Sequence, residues 1–315
     1  MRNLSRAAIA GLAIIVGATV AQAADPESCR NVRFADVGWT DITSTTALTS
    51  AVLAGLGYRP TDQILSVPVT YTSLKNKDID IFLGNWMPTM EADLRPFVED
   101  GSVAVVEPAN LEGAKYTLSV PAYTFDAGLK SFQDIAAFKD QLGGKIYGIE
   151  PGNDGNRLIL DMIEADQFGL GGFELVESSE QGMLAQVARA TSRNEPIVFL
   201  GWEPHPMNAN FAMSYLAGGD DVFGPDFGGA TVFTNVRAGY LDECPNVGAL
   251  IGNLRFTLAM ENEVMAAILD DGMEPGAAAT AWLKANPAAW TGWLDGVTTF
   301  DGQPGLDAVK AHLGL

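Results

Sequence analysis

The chain is predicted to fold as two α/β lobes facing each other across a cleft, and three observations predict it. Apolar strand-like runs alternate with helix-spaced runs from Asn31 onward, the order expected of α/β layers around a mostly parallel sheet. The pattern shifts to an extended, proline-interrupted run at "EGAKYTLSVPAY" (Glu112–Tyr123), after which a second α/β unit begins. Three apolar runs also close alike, on a glycine and then a tryptophan: "FADVGWTD", "DIFLGNWMP" and "PIVFLGWEPHPMN".

The elements follow in order. Arg2 and Arg6 precede an apolar stretch from Ala7 to Val20, and Ala21-Gln22-Ala23 closes it. This reads as a secretory signal peptide cleaved after Ala23. The run is shorter than the roughly 20 residues a membrane span needs, so a free, exported product is expected. "NVRFADV" is a strand. Thr40 or Asp41 stands where a helix N-cap is wanted, and the helix "ITSTTALTSAVLAGLG" ends on Gly57. "ILSVPVTY" reads as a second strand, and "NKDIDIFLGNW" leads into the next tryptophan. In the second unit, "GGKIYGIEPGNDGNRLILDMIEAD" is strand, Gly-rich turn and helix. "QGMLAQVARATSRNEPIVFLGW" is helix and strand. "SYLAGGDDVFGPDFGGATVFTNV" is loop-rich, and helices complete the chain. The expected division is residues 24–113 for the first part of lobe I, 114–212 for lobe II and 213–315 for the return part of lobe I.

Removing 23 residues from 315 leaves 292, enough for two lobes with a core each. Loss of Arg2 and Arg6 takes the formal charge from −20 to −22. So acidic a surface argues against nucleic acid or an anionic membrane as partner. It mildly favours a cationic ligand, although plain solubility explains it better. Cys29 and Cys244 are the only cysteines; in an exported protein they read as one long-range disulfide, which places both in the same lobe. His205 and His312 are the only histidines and make no zinc ligand cluster. Neither metal nor cofactor is expected. The chain has no G-x-S-x-G elbow, H-E-x-x-H or P-loop, and His205, between two prolines, has no nucleophile beside it. An enzyme is not expected.

In open α/β sheets, ligands bind beyond the carboxyl ends of strands. Trp39, Trp86 and Trp202 each stand at such an end, and Gly38, Gly84 and Gly201 permit the turn that aims each ring outward. Two come from the first unit and one from the second, so facing lobes bring them to one cleft. A single strand-end tryptophan is ordinary packing, and three in one context point to a cage. Trp282, Trp290 and Trp293 lack that context, and the last two, three apart near a helix, are expected to pack in the core or on the surface. A quaternary ammonium is drawn to the faces of several rings, each desolvated contact contributing roughly 2 kcal/mol. Three or four rings approach the ~8 kcal/mol of a micromolar dissociation constant. Asp41 is either the N-cap or a cleft carboxylate that takes a hydroxyl proton. In "PGNDGN", Asn153 reaches the cleft while Asp154 or Asn156 caps the next helix, or the turn only reverses the chain.

The motifs "DVGWTD", "FLGNWMP", "EGAKYTLSVPAY", "GIEPGNDGNR", "LGWEPHPMN" and "GYLDECPNVG" together resemble the periplasmic substrate-binding proteins of quaternary-amine ABC transporters, in their choline-binding branch. The resemblance runs nearly end to end. It implies a two-lobed periplasmic-binding-protein fold (type II-like), with hinge crossovers between lobes and ligand in the interlobe cleft. It further implies a trimethylammonium box of Trp39, Trp86, Trp202 and Tyr116, the last not given by spacing. Asp41 and Asn153 are implied to hold the choline hydroxyl, and Cys29 and Cys244 the disulfide. The implied partners are choline or a related quaternary ammonium and the membrane permease of an ABC transporter; a monomer in the periplasm is expected.

Glycine betaine ends in a carboxylate, which an aspartate at the tail repels. Neither Arg nor Lys stands in the three tryptophan motifs, so choline or acetylcholine is favoured over glycine betaine or proline betaine. A secreted aromatic-platform carbohydrate-binding module is the alternative from another class, and it predicts an open, rigid site.

Overall fold

The computed structural model describes residues 25–315; the signal-peptide reading lies outside the described residues. Nine strands form one sheet: β1 (Asn31–Asp36), β2 (Arg59–Ile64), β3 (Ile81–Met87), β4 (Val103–Pro121), β5 (Lys145–Tyr147), β6 (Glu174–Val176), β7 (Phe199–Glu203), β8 (Met213–Tyr215) and β9 (Gly229–Arg237). Their order is β2-β1-β3-β9-β4-β7-β5-β6, with β8 added on β4. Each end is parallel, β1 with β2 and β3, and β5 with β6 and β7. The centre is antiparallel, through β3–β9, β9–β4, β4–β7 and β4–β8.

The sheet is therefore mixed rather than mostly parallel. Helical crossovers keep the outer pairs parallel, whereas β4 and β9, which carry the chain out of the first unit and back, run against their neighbours. The 19-residue β4 serves both halves. Val103–Lys115 pairs with β9, and Lys115–Ser119 with β7. A register shift between Val106 and Leu111 spans Pro108, which has no N–H to give the ladder.

Two further expectations are corrected. "ILSVPVTY" is not a strand: β2 lies upstream of it, and Val67–Lys75 is a helix with Ser66 at its N-cap position and Pro68 in its first turn. A proline tolerated there costs a ladder its bond in a strand. The loop-rich passage contains the nine-residue β9, whose pattern of burial is that of a central strand. Its partners β3 and β4 lie more than a hundred residues upstream, and the glycines ahead of it hide the strand from a local reading.

The return leg is stitched to the chain's start. Cys29 and Cys244 are disulfide-bonded, with Cα atoms 5.7 Å apart across a separation of 215 residues. A loop that long contributes about 5 kcal/mol in the chain-entropy account. Beside it, buried Asp25 accepts the backbone N–H groups of Asn246 (2.8 Å) and Val247 (3.1 Å) and the Tyr58 hydroxyl (2.9 Å). These bonds cap the helix Pro245–Asn253. Trp290 and Trp293 are buried core residues.

Candidate functional site

Between the halves lies a cavity of about 260 Å³ lined by Trp39, Asp41, Trp86, Tyr116, Ile149, Asn153, Asp154 and Trp202. Every one of these side chains belongs to a residue no more than 5% exposed, so the halves are closed over it. So small and enclosed a cavity suits a ligand of few atoms.

The fold brings the lining together from both ends of the sheet. After β1, Gly38 at φ +81° turns the chain, and Trp39 takes the N-cap position of the helix Thr40–Gly55 with Asp41 in its first turn. Trp86 lies near the end of β3. Tyr116 and Trp202 are direct antiparallel partners on β4 and β7, so their side chains leave the same face. Their ring centroids are 6.2 Å apart at 80°, and Tyr116 meets Trp86 at 6.1 Å and 61°. The role expected for Gly84 and Gly201 is corrected: both lie inside strands. A Cβ at Gly84 would stand 2.6 Å from Ile42 Cδ1, and one at Gly201 would meet the Ser119 hydroxyl, so glycine there admits a neighbour rather than a turn.

All six side chains singled out from the sequence line this one cavity. Asn153 is itself the N-cap of the helix Asp154–Glu164, accepting from the Asn156 N–H at 3.0 Å. The cap that the sequence assigns to Asp154 or Asn156 is thus corrected to Asn153, and Asp154 lines the cavity. Asn153 Oδ1 also accepts the Tyr116 hydroxyl at 2.9 Å, and its Nδ2 donates to Asp154 Oδ1 at 3.1 Å. A sequence reading missed Ile149, Asp154 and a second rank behind them. Gly155 belongs to that rank, since any Cβ there would overlap the Tyr116 hydroxyl. Gly155→Ala is therefore expected to displace Tyr116 and weaken ligand binding about ten-fold or more, read by titration, with the fold kept by circular dichroism.

The electrostatics are unusual for a protein interior. Trp86 Nε1 donates to Asp41 Oδ2 at 3.1 Å, and Trp39 Nε1 to Glu150 Oε1 at 2.7 Å. Asp41 Oδ1 and Asp154 Oδ2 are the buried carboxylate oxygens without a partner among the described residues. Burial, with repulsion from Glu180, pushes Asp41 up to about 8; burial pushes Glu150 to about 7 and Asp154 to about 6. Asp80, also buried, differs. Hydrogen bonds from Arg33 and Arg237 outweigh its burial and hold it below its ordinary value. No Lys or Arg lines the cavity. Buried carboxylates are normally paired, so this site is built for a positive charge from outside the chain.

Contacts across the halves seal it. Besides Trp39–Glu150, Arg157 donates to Asp93 Oδ2 (2.9 Å) and to the Thr89 carbonyl (3.0 Å). On the β7 side of the cavity, Phe223 backs Tyr116 with ring centroids 5.9 Å apart.

Two lobes on one sheet, closed over a small aromatic and acidic cavity, define a substrate-binding protein that traps its ligand between them. The family model described as the substrate binding domain of ABC-type glycine betaine transport system matches residues 30–285, and the chain belongs to that family. It is 67% identical to an ABC-transporter choline binding protein in complex with choline, over 92% of this chain and 100% of that one, with a TM-score of 0.91. Against an ABC-transporter choline binding protein in an unliganded semi-closed conformation, at the same identity and coverage, the TM-score is 0.84. The chain thus superposes better on the choline complex than on the unliganded semi-closed form. An uncharacterised protein, ORF1, of Chromohalobacter salexigens is 51% identical over 158 residues, 50% of this chain and 100% of that protein.

Proposed function

We propose that the chain captures choline, and acetylcholine as its close analogue, and delivers it to the membrane permease of an ABC importer. One observation carries the choice of ligand. Trp39, Trp86, Tyr116 and Trp202 surround a closed cavity that also holds two buried carboxylates with unpartnered oxygens and no cationic side chain. The rings take the trimethylammonium. Asp41 and Asn153 take the hydroxyl, with the free Asp41 Oδ1 as acceptor. The tail carboxylate of glycine betaine meets two acidic side chains and no cationic partner instead. The chain binds and releases without chemistry, and the exported, periplasmic form is the working one.

Lobe I comprises β1, β2, β3, β9 and the start of β4; lobe II comprises the end of β4 with β5, β6 and β7. We place the outward crossing within β4 near residue 113, where pairing with β9 gives way to pairing with β7. β8 pairs with Ser119–Pro121 at the lobe II end of β4, and Phe223 packs on Phe132. Both support a return crossing at Pro225–Gly229, later than residue 212.

Calorimetric titration with choline, acetylcholine, glycine betaine and a disaccharide tests the reading. Choline is expected to bind at least about a hundred-fold tighter than glycine betaine. Betaine winning keeps the aromatic box and overturns the role given to Asp41. Silence from all three ammonium compounds returns the tryptophans to packing, and heat from the disaccharide alone favours the carbohydrate-binding alternative.

A further inference from the structure

The helix Thr40–Gly55 follows Trp39 and carries Asp41 in its first turn, yet has no cap of its own. Trp39 occupies the N-cap position without a side-chain cap, and an indole has no acceptor for the N–H groups that the first turn leaves unbonded. The acceptor comes from the opposite half. Glu180 opens the helix Glu180–Arg193, which follows β6. One of its oxygens accepts the Thr40 backbone N–H at 2.8 Å and the other the Thr40 hydroxyl at 2.6 Å.

His205, just past β7, completes the arrangement. Its Nδ1 accepts the Met207 backbone N–H at 2.9 Å, which leaves the ring proton on Nε2, 3.2 Å from Glu180 Oε1. Glu180, Thr40 and His205 are each at most 3% exposed. Three donors thus converge on one buried carboxylate, the arrangement in which a charged acceptor is strongest.

We propose that Glu180 is a positioning residue for ligand capture, a cap supplied by one lobe to the helix start of the other, which locks Trp39 and Asp41 against the ligand. The inference rests on the ligand-trapping reading given above. Opening the lobes parts Glu180 from Thr40, so the cap exists only in the closed form. Closure also gathers Glu180 and Asp154 of lobe II with Asp41 of lobe I. Their ionised forms repel one another, and these repulsions oppose closure to the extent that the acids are charged. A cation in the box offsets them, so the latch sets when the ligand is positively charged. Arg157–Asp93 also spans the halves but is partly solvated and correspondingly weak.

The test compares wild type with Glu180→Gln and Thr40→Val. Gln turns an N–H₂ toward a donor, whereas Val removes only the hydroxyl bond. Stopped-flow binding of choline is expected to show dissociation about ten-fold faster or more in Glu180→Gln, with a smaller increase in Thr40→Val and association within about three-fold. The Thr40 amide is the local reporter, because its only acceptor is Glu180. Its hydrogen exchange in saturating choline is expected to be slow in wild type and fast in Glu180→Gln, with the helix interior unaltered. Equal dissociation rates and equal Thr40 exchange overturn the latch while leaving choline binding intact. A melting temperature lowered in the ligand-free variant, with an unchanged off-rate, reduces Glu180 to a structural residue and also overturns it. If wild type ignores choline, the proposed function fails instead, and Thr40 exchange in the ligand-free proteins decides the latch by itself.

Discussion

Trp202→Ala is expected to weaken choline binding by at least about thirty-fold, the equivalent of one desolvated cation–π contact of roughly 2 kcal/mol. Trp202 is the tryptophan of the box contributed by lobe II, and it stands opposite Tyr116 in the β4–β7 ladder. Its loss removes a wall and opens the cavity to water, which also weakens what the remaining rings do. Trp202→Phe keeps an aromatic face and is expected to lose less than Ala. Calorimetry gives both numbers. Truncating a buried aromatic also costs stability, about 3–5 kcal/mol, so each variant is melted without ligand first. A folded Trp202→Ala protein of unchanged affinity removes the aromatic box from the mechanism.

Asp41→Asn is expected to cut choline affinity about ten-fold or more and to improve glycine betaine relative to choline. An amide still accepts the Trp86 N–H through its oxygen but no longer repels a carboxylate tail. The pH dependence separates this role from simple packing. Burial and the Glu180 charge push Asp41 up to about 8, from an ordinary 3.8, so at neutral pH the ligand-free site holds a proton there. A cation favours the ionised form. Choline binding therefore releases protons below about pH 8, and affinity rises with pH toward that value and then levels.

Stability without ligand runs the other way. A carboxyl raised on folding binds its proton more tightly in the folded state, so its ionisation destabilises. The penalty is absent below the ordinary value and complete above the folded one. The ligand-free melting temperature is expected to fall between about pH 4 and pH 8, by less in Asp41→Asn, and choline is expected to offset the fall. Melting curves at pH 5 and pH 8 measure it. Identical pH profiles for wild type and Asp41→Asn remove Asp41 as the titrating group.

Much of this protein is written locally. The alternation of strand and helix, the break at Glu112–Tyr123 and the tryptophans at strand ends can be read from residues one to four apart, because period and turn chemistry are local properties. Those readings, with the motifs that carry the family resemblance, reach the two lobes and six of the eight cavity side chains, Ile149 and Asp154 being the exceptions. The cysteine pair is legible for a different reason: two cysteines allow only one partner each.

What lay beyond reach depends on pairings between distant residues. β9 is a strand because β3 and β4 flank it, and the sheet is mixed because β4 and β9 run against their neighbours. Gly84 and Gly201 looked like turn residues, but only the approach of Ile42 and Ser119 shows that they make room. Thr40 and Asp41 have the composition of an N-cap, yet the structure places Trp39 there and brings the acceptor from Glu180, some 140 residues away. Asp154 passes for a capping residue until its unpartnered oxygen is seen at the cavity wall. The amino-acid sequence alone determined which residues form the aromatic and acidic set, since side-chain chemistry travels with the residue. The tertiary structure decided which of those acids lack a partner and which cap a helix, because burial and pairing exist only once the lobes have met.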